Sequence, residues 1–186
     1  FTAARPVAEF PGFLKSFNLK RKICMVSDKE VGGRQGYGRL IPLGHFVVQE
    51  LQKFIDFLHY FKTQIAPSQP EIPQYIQQIL ESKLPLLNIF QDGQWYPLRP
   101  SIIKKFNPEL SLLHENWHRH TARAFLSHKI SEIEILALFG HEPMQQEAAH
   151  PYSSLSISQY SSIAHILEQM KDHFNITGIE LDVLTQ

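Results

Sequence analysis

The stretch 46–65 restricts the fold more than any other. Val47, Val48, Leu51, Phe54, Ile55, Leu58 and Phe61 recur within it at helical spacing. That spacing sets them along one side of an amphipathic helix. An apolar stripe of this length must be covered, so the remaining elements have to assemble against it into a core. The chain can do this: 186 residues, 43% of them hydrophobic, suffice for one domain.

The other elements are shorter. Residues 1–19, with Arg5-Pro6 and Pro11-Gly12, read as a broken helix and a loop. Residues 22–27 and 38–43 have strand character, and Pro42 belongs near a strand end because it cannot donate to a ladder. The polar, glycine-rich run between them (DKEVGGRQGYG) reads as a long hairpin tip. After a linker at 66–70, residues 73–82 suit a second helix. Strands at 86–90 and 94–98 flank Asp92-Gly93, the sequence of a tight hairpin turn. Pro100 fits the first position of a helix that 101–106 continue.

Residues 114–129 read as a helix, with Trp117 as a core residue. Ser131 and Glu134 form a capping box that opens a helix over 132–139, and Gly140 closes it. A polar loop over 141–151 follows. The next helix, 158–174, carries Ile163, Ile166, Leu167, Met170 and Phe174 on one face. Residues 176–184 read as a short strand or a tail. The fold expected is mixed, mainly α with a small antiparallel β-sheet.

Formal net charge is zero, but it is unevenly spread. Residues 1–40 hold eight Lys/Arg against three Asp/Glu, and 99–129 hold six against two. Residues 130–186 hold one against eight. The two basic blocks are compatible with one basic, nucleic-acid-binding face and equally with ordinary solvated charge. The single cysteine, Cys24, excludes an internal disulfide and a cysteine-based zinc cluster, and fits a reducing, cytoplasmic compartment. No signal peptide and no apolar run near the roughly 20 residues of a membrane span are present. The chain opens without Met and in mid-pattern, as expected of part of a longer protein.

Function concentrates in 114–152, the densest run of His and Arg. Two catalytic signatures compete there. One is His114-Glu115-Asn116-Trp117-His118, a literal H-E-x-x-H. It would set two zinc ligands on one helical face with Glu115 as general base. It has no marked third ligand, and Thr121 stands where the extended motif needs glycine. The other is the order Arg119-His120, Gly140-His141, Tyr152. That order suits a tyrosine attacking a phosphodiester. Such a reaction needs fixed cations on the phosphate oxygens, a hydrogen-bond donor beside them and an acid for the leaving 5′ oxygen. Arginine suits the clamp because its planar fork holds two oxygens and keeps its proton.

In these residues the chain resembles the catalytic domain of the tyrosine recombinases, or phage-type integrases, over nearly its whole length. Thr2-Ala-Ala-Arg5-Pro-Val-Ala-Glu9 resembles the family's T-G-x-R-x-x-E segment. The hairpin at 22–43 resembles the one that carries the catalytic lysine, matched by Lys29, and Arg39-Leu-Ile-Pro-Leu43 resembles the R-x-x-P-L return strand. Asn116-Trp-His-Arg119-His120 is similar to the H-x-x-R-H box, Gly140-His141 to the L-G-H segment, and Tyr152 to the nucleophile. Arg119 precedes His141 by 22 residues, and His141 precedes Tyr152 by 11. The run after Pro151 resembles a branch of integrases from mobile elements.

The resemblance implies the recombinase catalytic-domain fold over 1–186, with the N-terminal DNA-binding domain outside the chain. It implies strand cleavage and rejoining through a 3′-phosphotyrosine, without metal or other cofactor. It implies catalytic roles for Arg5, Lys29, Asn116, Arg119, His141 and Tyr152, and contacts to double-stranded DNA from Arg34, Arg39, His120 and Arg123. Arg123 also suits a structural ion pair, and in a second register, His120-Thr-Ala-Arg123, it would replace Arg119 as the clamp, 18 residues before His141. A homo-oligomer, a tetramer on DNA, is implied as well. Asn116 departs from the family's usual histidine and has no titratable proton. The base for Tyr152 is therefore open, with His118 and His120 close in sequence. Tyr160 is a rival nucleophile placed inside a helix. Besides the zinc hydrolase, a catalytically idle DNA-binding module stays open.

Overall fold

The computed structural model describes residues 12–26, 30–31, 34–35, 39–65, 69–91, 93–106, 108–113, 116–140 and 156–180. Among these, six α-helices accompany three small antiparallel sheets. A 3₁₀ turn, Leu14–Ser16, leads into β1 (Phe17–Asn18). β2 (Ile23–Val26) and β5 (Arg39–Pro42) form a three-stranded sheet with it, in the order β1-β2-β5. Cys24 faces Ile41 and Val26 faces Arg39 across the β2–β5 pair, and Pro42 ends β5. The hairpin tip has a ladder of its own, β3 (Glu30–Val31) against β4 (Arg34–Gln35).

α1 (His45–Ile65) is the long amphipathic helix and α2 (Glu71–Leu80) packs on it. β6 (Asn88–Gln91) and β7 (Gln94–Pro97) pair Gln91 with Gln94, leaving a two-residue turn with Gly93 at φ 75°. Such a positive φ is what the Asp-Gly signal asks for. α3 (Pro100–Phe106) and a second 3₁₀ turn (Pro108–Leu112) follow. The last helices are α4 (Trp117–Leu126), α5 (Glu132–Phe139) and α6 (Ile157–His173). Residues 176–180 form no strand; they lie against α1, where the Ile179 amide donates to Glu50 at 2.8 Å.

Two apolar clusters hold these elements. The first joins Cys24, Val26, Ile41 and Leu43 to Ala122 and Leu126 of α4, Ile135 and Leu138 of α5, and Ile163, Leu167 and Met170 of α6. The second joins Leu58 of α1 to Ile72, Ile76 and Ile79 of α2 and to Leu86. α1 bridges them: Val47 and Val48 pack on the first, Leu51, Phe54 and Phe61 on the second. Each fully buried aliphatic side chain contributes about 1.5–3 kcal/mol relative to exposure.

Where the chain supplies no local cap, a distant one appears. Gly44 precedes α1 and has no side chain to accept the first amides. The Glu168 carboxylate of α6 accepts the Phe46 amide instead, at 3.0 and 3.2 Å. A Cβ on Gly44 would stand 2.6 Å from Glu168 Oε2, so the carboxylate would have to move aside. α6 is itself capped by a box of Ser156 and Gln159 and begins at Ile157. Trp117 corrects the expectation of a core residue: it is 41% exposed. α4 buries Arg119, Ala122 and Leu126, and at 100° per residue Trp117 lies on the opposite side of that face. Among the described residues no helix is long and apolar enough to cross a membrane.

Candidate functional site

The end of α5 draws three separate segments together. The helix starts on the expected capping box, with the Ser131 side chain accepting the Glu134 amide and Glu134 accepting the Ser131 amide. It ends at Gly140 in the left-handed conformation, φ 66° and ψ 39°, which glycine adopts without the Cβ penalty. The last four carbonyls of a helix have no partner within it. Here Leu136 and Ala137 accept from the Gly140 amide. Leu138 accepts from Arg39 Nε at 2.7 Å, and Phe139 from Arg119 Nη2 at 2.9 Å.

Arg39 and Arg119 are thus both interior, 5% and 6% exposed. Arg39 reaches in from the start of β5. Its guanidinium crosses Gly140 so closely that a Cβ there would stand 3.1 Å from Nη1. Arg119 occupies the buried face of α4 and lies over the Phe139 ring at 5.1 Å. Burying a cation is costly unless its surroundings compensate. The negative end of the α5 dipole, two carbonyls and an aromatic face do so here. Behind Arg39 is Cys24: burial pushes its thiol up to about 12, with the Arg39 charge pulling the other way.

Asn116 is the N-cap residue of α4. Its side chain makes no cap hydrogen bond, while its carbonyl accepts from the amides of Arg119 at 2.9 Å and His120 at 3.1 Å. His118 is half-buried, its ring edge-on to Trp117 at 6.1 Å, and His120 is exposed. Arg123 forms an ion pair with Glu132, tying α4 to the start of α5. The Tyr160 hydroxyl donates to the Leu40 carbonyl at 3.4 Å and its ring packs on the first cluster. The backbone of Arg34 pairs with Val31 in the hairpin.

Arg39 and Arg119 therefore come together at the end of α5, with Asn116 three residues before Arg119 at the start of α4. Arg123 stands one turn further along α4. Arg5, Lys29, His114, Glu115, His141 and Tyr152 lie outside the described residues. Among the described residues no group of three His, Cys, Asp or Glu is placed to hold a metal ion. Sequence reasoning placed Arg39 on DNA and missed its bond to α5. The signal available was its register opposite Val26 on the core-facing side of β5. A groove of about 730 Å³ lies on the other side of that sheet, between β2–β5 and α6, with Arg21, Lys22, His45 and Tyr160 among its walls. Compared with protein-family models, curated proteins and solved structures, the chain matches none of them.

Proposed function

We propose that this chain is the catalytic domain of a tyrosine-type site-specific DNA recombinase of the integrase kind, acting on double-stranded DNA in the cytoplasm. One observation carries the reading. Two segments chosen from sequence as parts of one site, 39–43 and 116–120, meet through Arg39 and Arg119 at the helix end that Gly140, of the third segment Gly140-His141, closes. Arg39 lies 99 residues from the carbonyl it holds, so the meeting did not follow from proximity along the chain. Arg119 is also the kind of cation that phosphoryl chemistry favours, a guanidinium oriented in advance by a fixed carbonyl.

In the proposed reaction the Tyr152 oxygen attacks the scissile phosphorus. The P–O5′ bond breaks, and Lys29 gives its proton to the leaving 5′ oxygen. Arg5, Arg119 and His141 balance the charge on the non-bridging oxygens. A 3′-phosphotyrosine and a free 5′ hydroxyl result. Attack by a second strand's 5′ hydroxyl reverses the step and rejoins the DNA. Asn116 orients without taking a proton, so His118 or His120 accepts the one from Tyr152. Several copies of the chain assemble on the DNA so that two strands can be exchanged.

The test uses the full-length protein and a nicked duplex bearing its recognition sequence, selected from a random library. A covalent protein–DNA adduct that forms in EDTA and is lost in Tyr152→Phe supports the reading. An adduct that needs metal, or none from the unaltered protein, refutes it.

A further inference from the structure

We infer that Arg39 is a positioning residue that locks the end of α5 through Gly140, in place of the DNA contact that the resemblance implies. This rests on the recombinase reading for its catalytic consequence. The geometry is independent of that reading. Arg39 is 5% exposed, its Nε is committed to the Leu138 carbonyl at 2.7 Å, and its guanidinium lies against the Gly140 α-carbon. Through that bond it spans 99 residues of chain to hold a helix end.

Gly140 answers it. The left-handed backbone strains any other residue there, and a Cβ would press on the Arg39 guanidinium at 3.1 Å. Arg119 fixes the neighbouring carbonyl, Phe139. Two guanidiniums therefore hold consecutive carbonyls at the end of α5. A small misplacement of a catalytic group costs on the order of 100-fold in rate, so the lock belongs to the catalytic apparatus without touching DNA.

Arg39→Lys separates the two roles. Lysine keeps the charge a phosphate would need but loses the planar fork and Nε bond. Gly140→Ala tests the other half of the lock without altering charge. Both variants are measured for single-turnover adduct formation at saturating protein, for DNA affinity against salt, and for amide exchange at 138–140. The expected result is a 10- to 100-fold slower cleavage step in both variants. Affinity and its salt slope should stay at the unaltered protein's values, and exchange at 138–140 should quicken.

Cleavage at the unaltered rate in Arg39→Lys overturns the inference. So does a salt slope lowered by about one in Arg39→Gln, the mark of a lost phosphate contact. If Arg39→Gln fails to fold, Arg39→Lys and Gly140→Ala carry the test. If the unaltered protein forms no adduct, the recombinase reading fails. The lock is then judged by exchange alone, where unchanged protection in both variants sinks it.

Discussion

Gly44 and Glu168 offer a double-mutant cycle that tests the capping of α1. Glu168 accepts the second amide of α1 and places its charge at the positive end of that helix. Losing an N-cap acceptor costs about 0.5–2 kcal/mol, and losing a charge at the dipole adds about 0.3–1 kcal/mol. Glu168→Ala should therefore destabilise by about 1–2 kcal/mol. Gly44→Ala would by itself stabilise by about 0.4–1 kcal/mol, since it restricts the unfolded chain. In this protein its Cβ falls 2.6 Å from Glu168 Oε2 and displaces the carboxylate, while the backbone of Ala164 stays at 3.5 Å.

Gly44→Ala should then destabilise by about 0.5–1 kcal/mol when Glu168 is present and stabilise by about 0.4–1 kcal/mol when residue 168 is alanine. Urea unfolding of the four proteins measures this, and thermal midpoints should follow at about 2–4 °C per kcal/mol. Additive effects of the two substitutions would refute the claim that Glu168 caps α1 across Gly44.

Three further expectations concern stability. Cys24 should resist a thiol reagent in the native protein at pH 8 and react on unfolding. Burial raises its pKa from 9.0 to about 12, so its contribution is complete below about 9 and is lost as pH rises toward 12. In Cys24→Ala the alkaline loss of stability should be shallower by up to about 1.4 kcal/mol per pH unit in that window. Ile76→Ala should cost about 2–5 kcal/mol, because the side chain is wholly enclosed in the second cluster, whereas Leu112→Ala at 87% exposure should stay within about 0.5 kcal/mol. Burial works to raise the Glu50 pKa, but the bonds from Lys53 and the Ile179 amide outweigh it and the net shift is downward. The hold of Glu50 on 176–180 is therefore present above the ordinary carboxylate pKa and lost as pH falls through the lowered value. Glu50→Gln should speed amide exchange at Ile179 at neutral pH, and an unchanged rate would count against the contact.

What could be read from the sequence was local. The box of Ser131 and Glu134, the Gly140 stop, the hairpin of 88–91 with 94–97 and the α1 stripe all act within a few residues, and each is found where expected. What could not be read depends on partners far along the chain. Phe17 and Asn18 become a strand only because β2 pairs with them. α1 gets its cap from a carboxylate 122 residues later. Trp117 was expected in the core, but α4 turns Arg119 inward onto Phe139 of α5 and leaves Trp117 on the opposite side. The candidate site divides the same way. The residue types needed for phosphoryl transfer were legible as motifs. That two arginines turn inward onto the Leu138 and Phe139 carbonyls was not, since a guanidinium serves a phosphate and a helix end with the same donors.

The most direct measurement of the central claim is denaturing electrophoresis of the full-length protein with a nicked recognition duplex in EDTA. A covalent 3′-linked adduct is expected from the unaltered protein and from Tyr160→Phe, and none from Tyr152→Phe. An adduct that persists in Tyr152→Phe, or that appears only when divalent metal is supplied, would contradict the account.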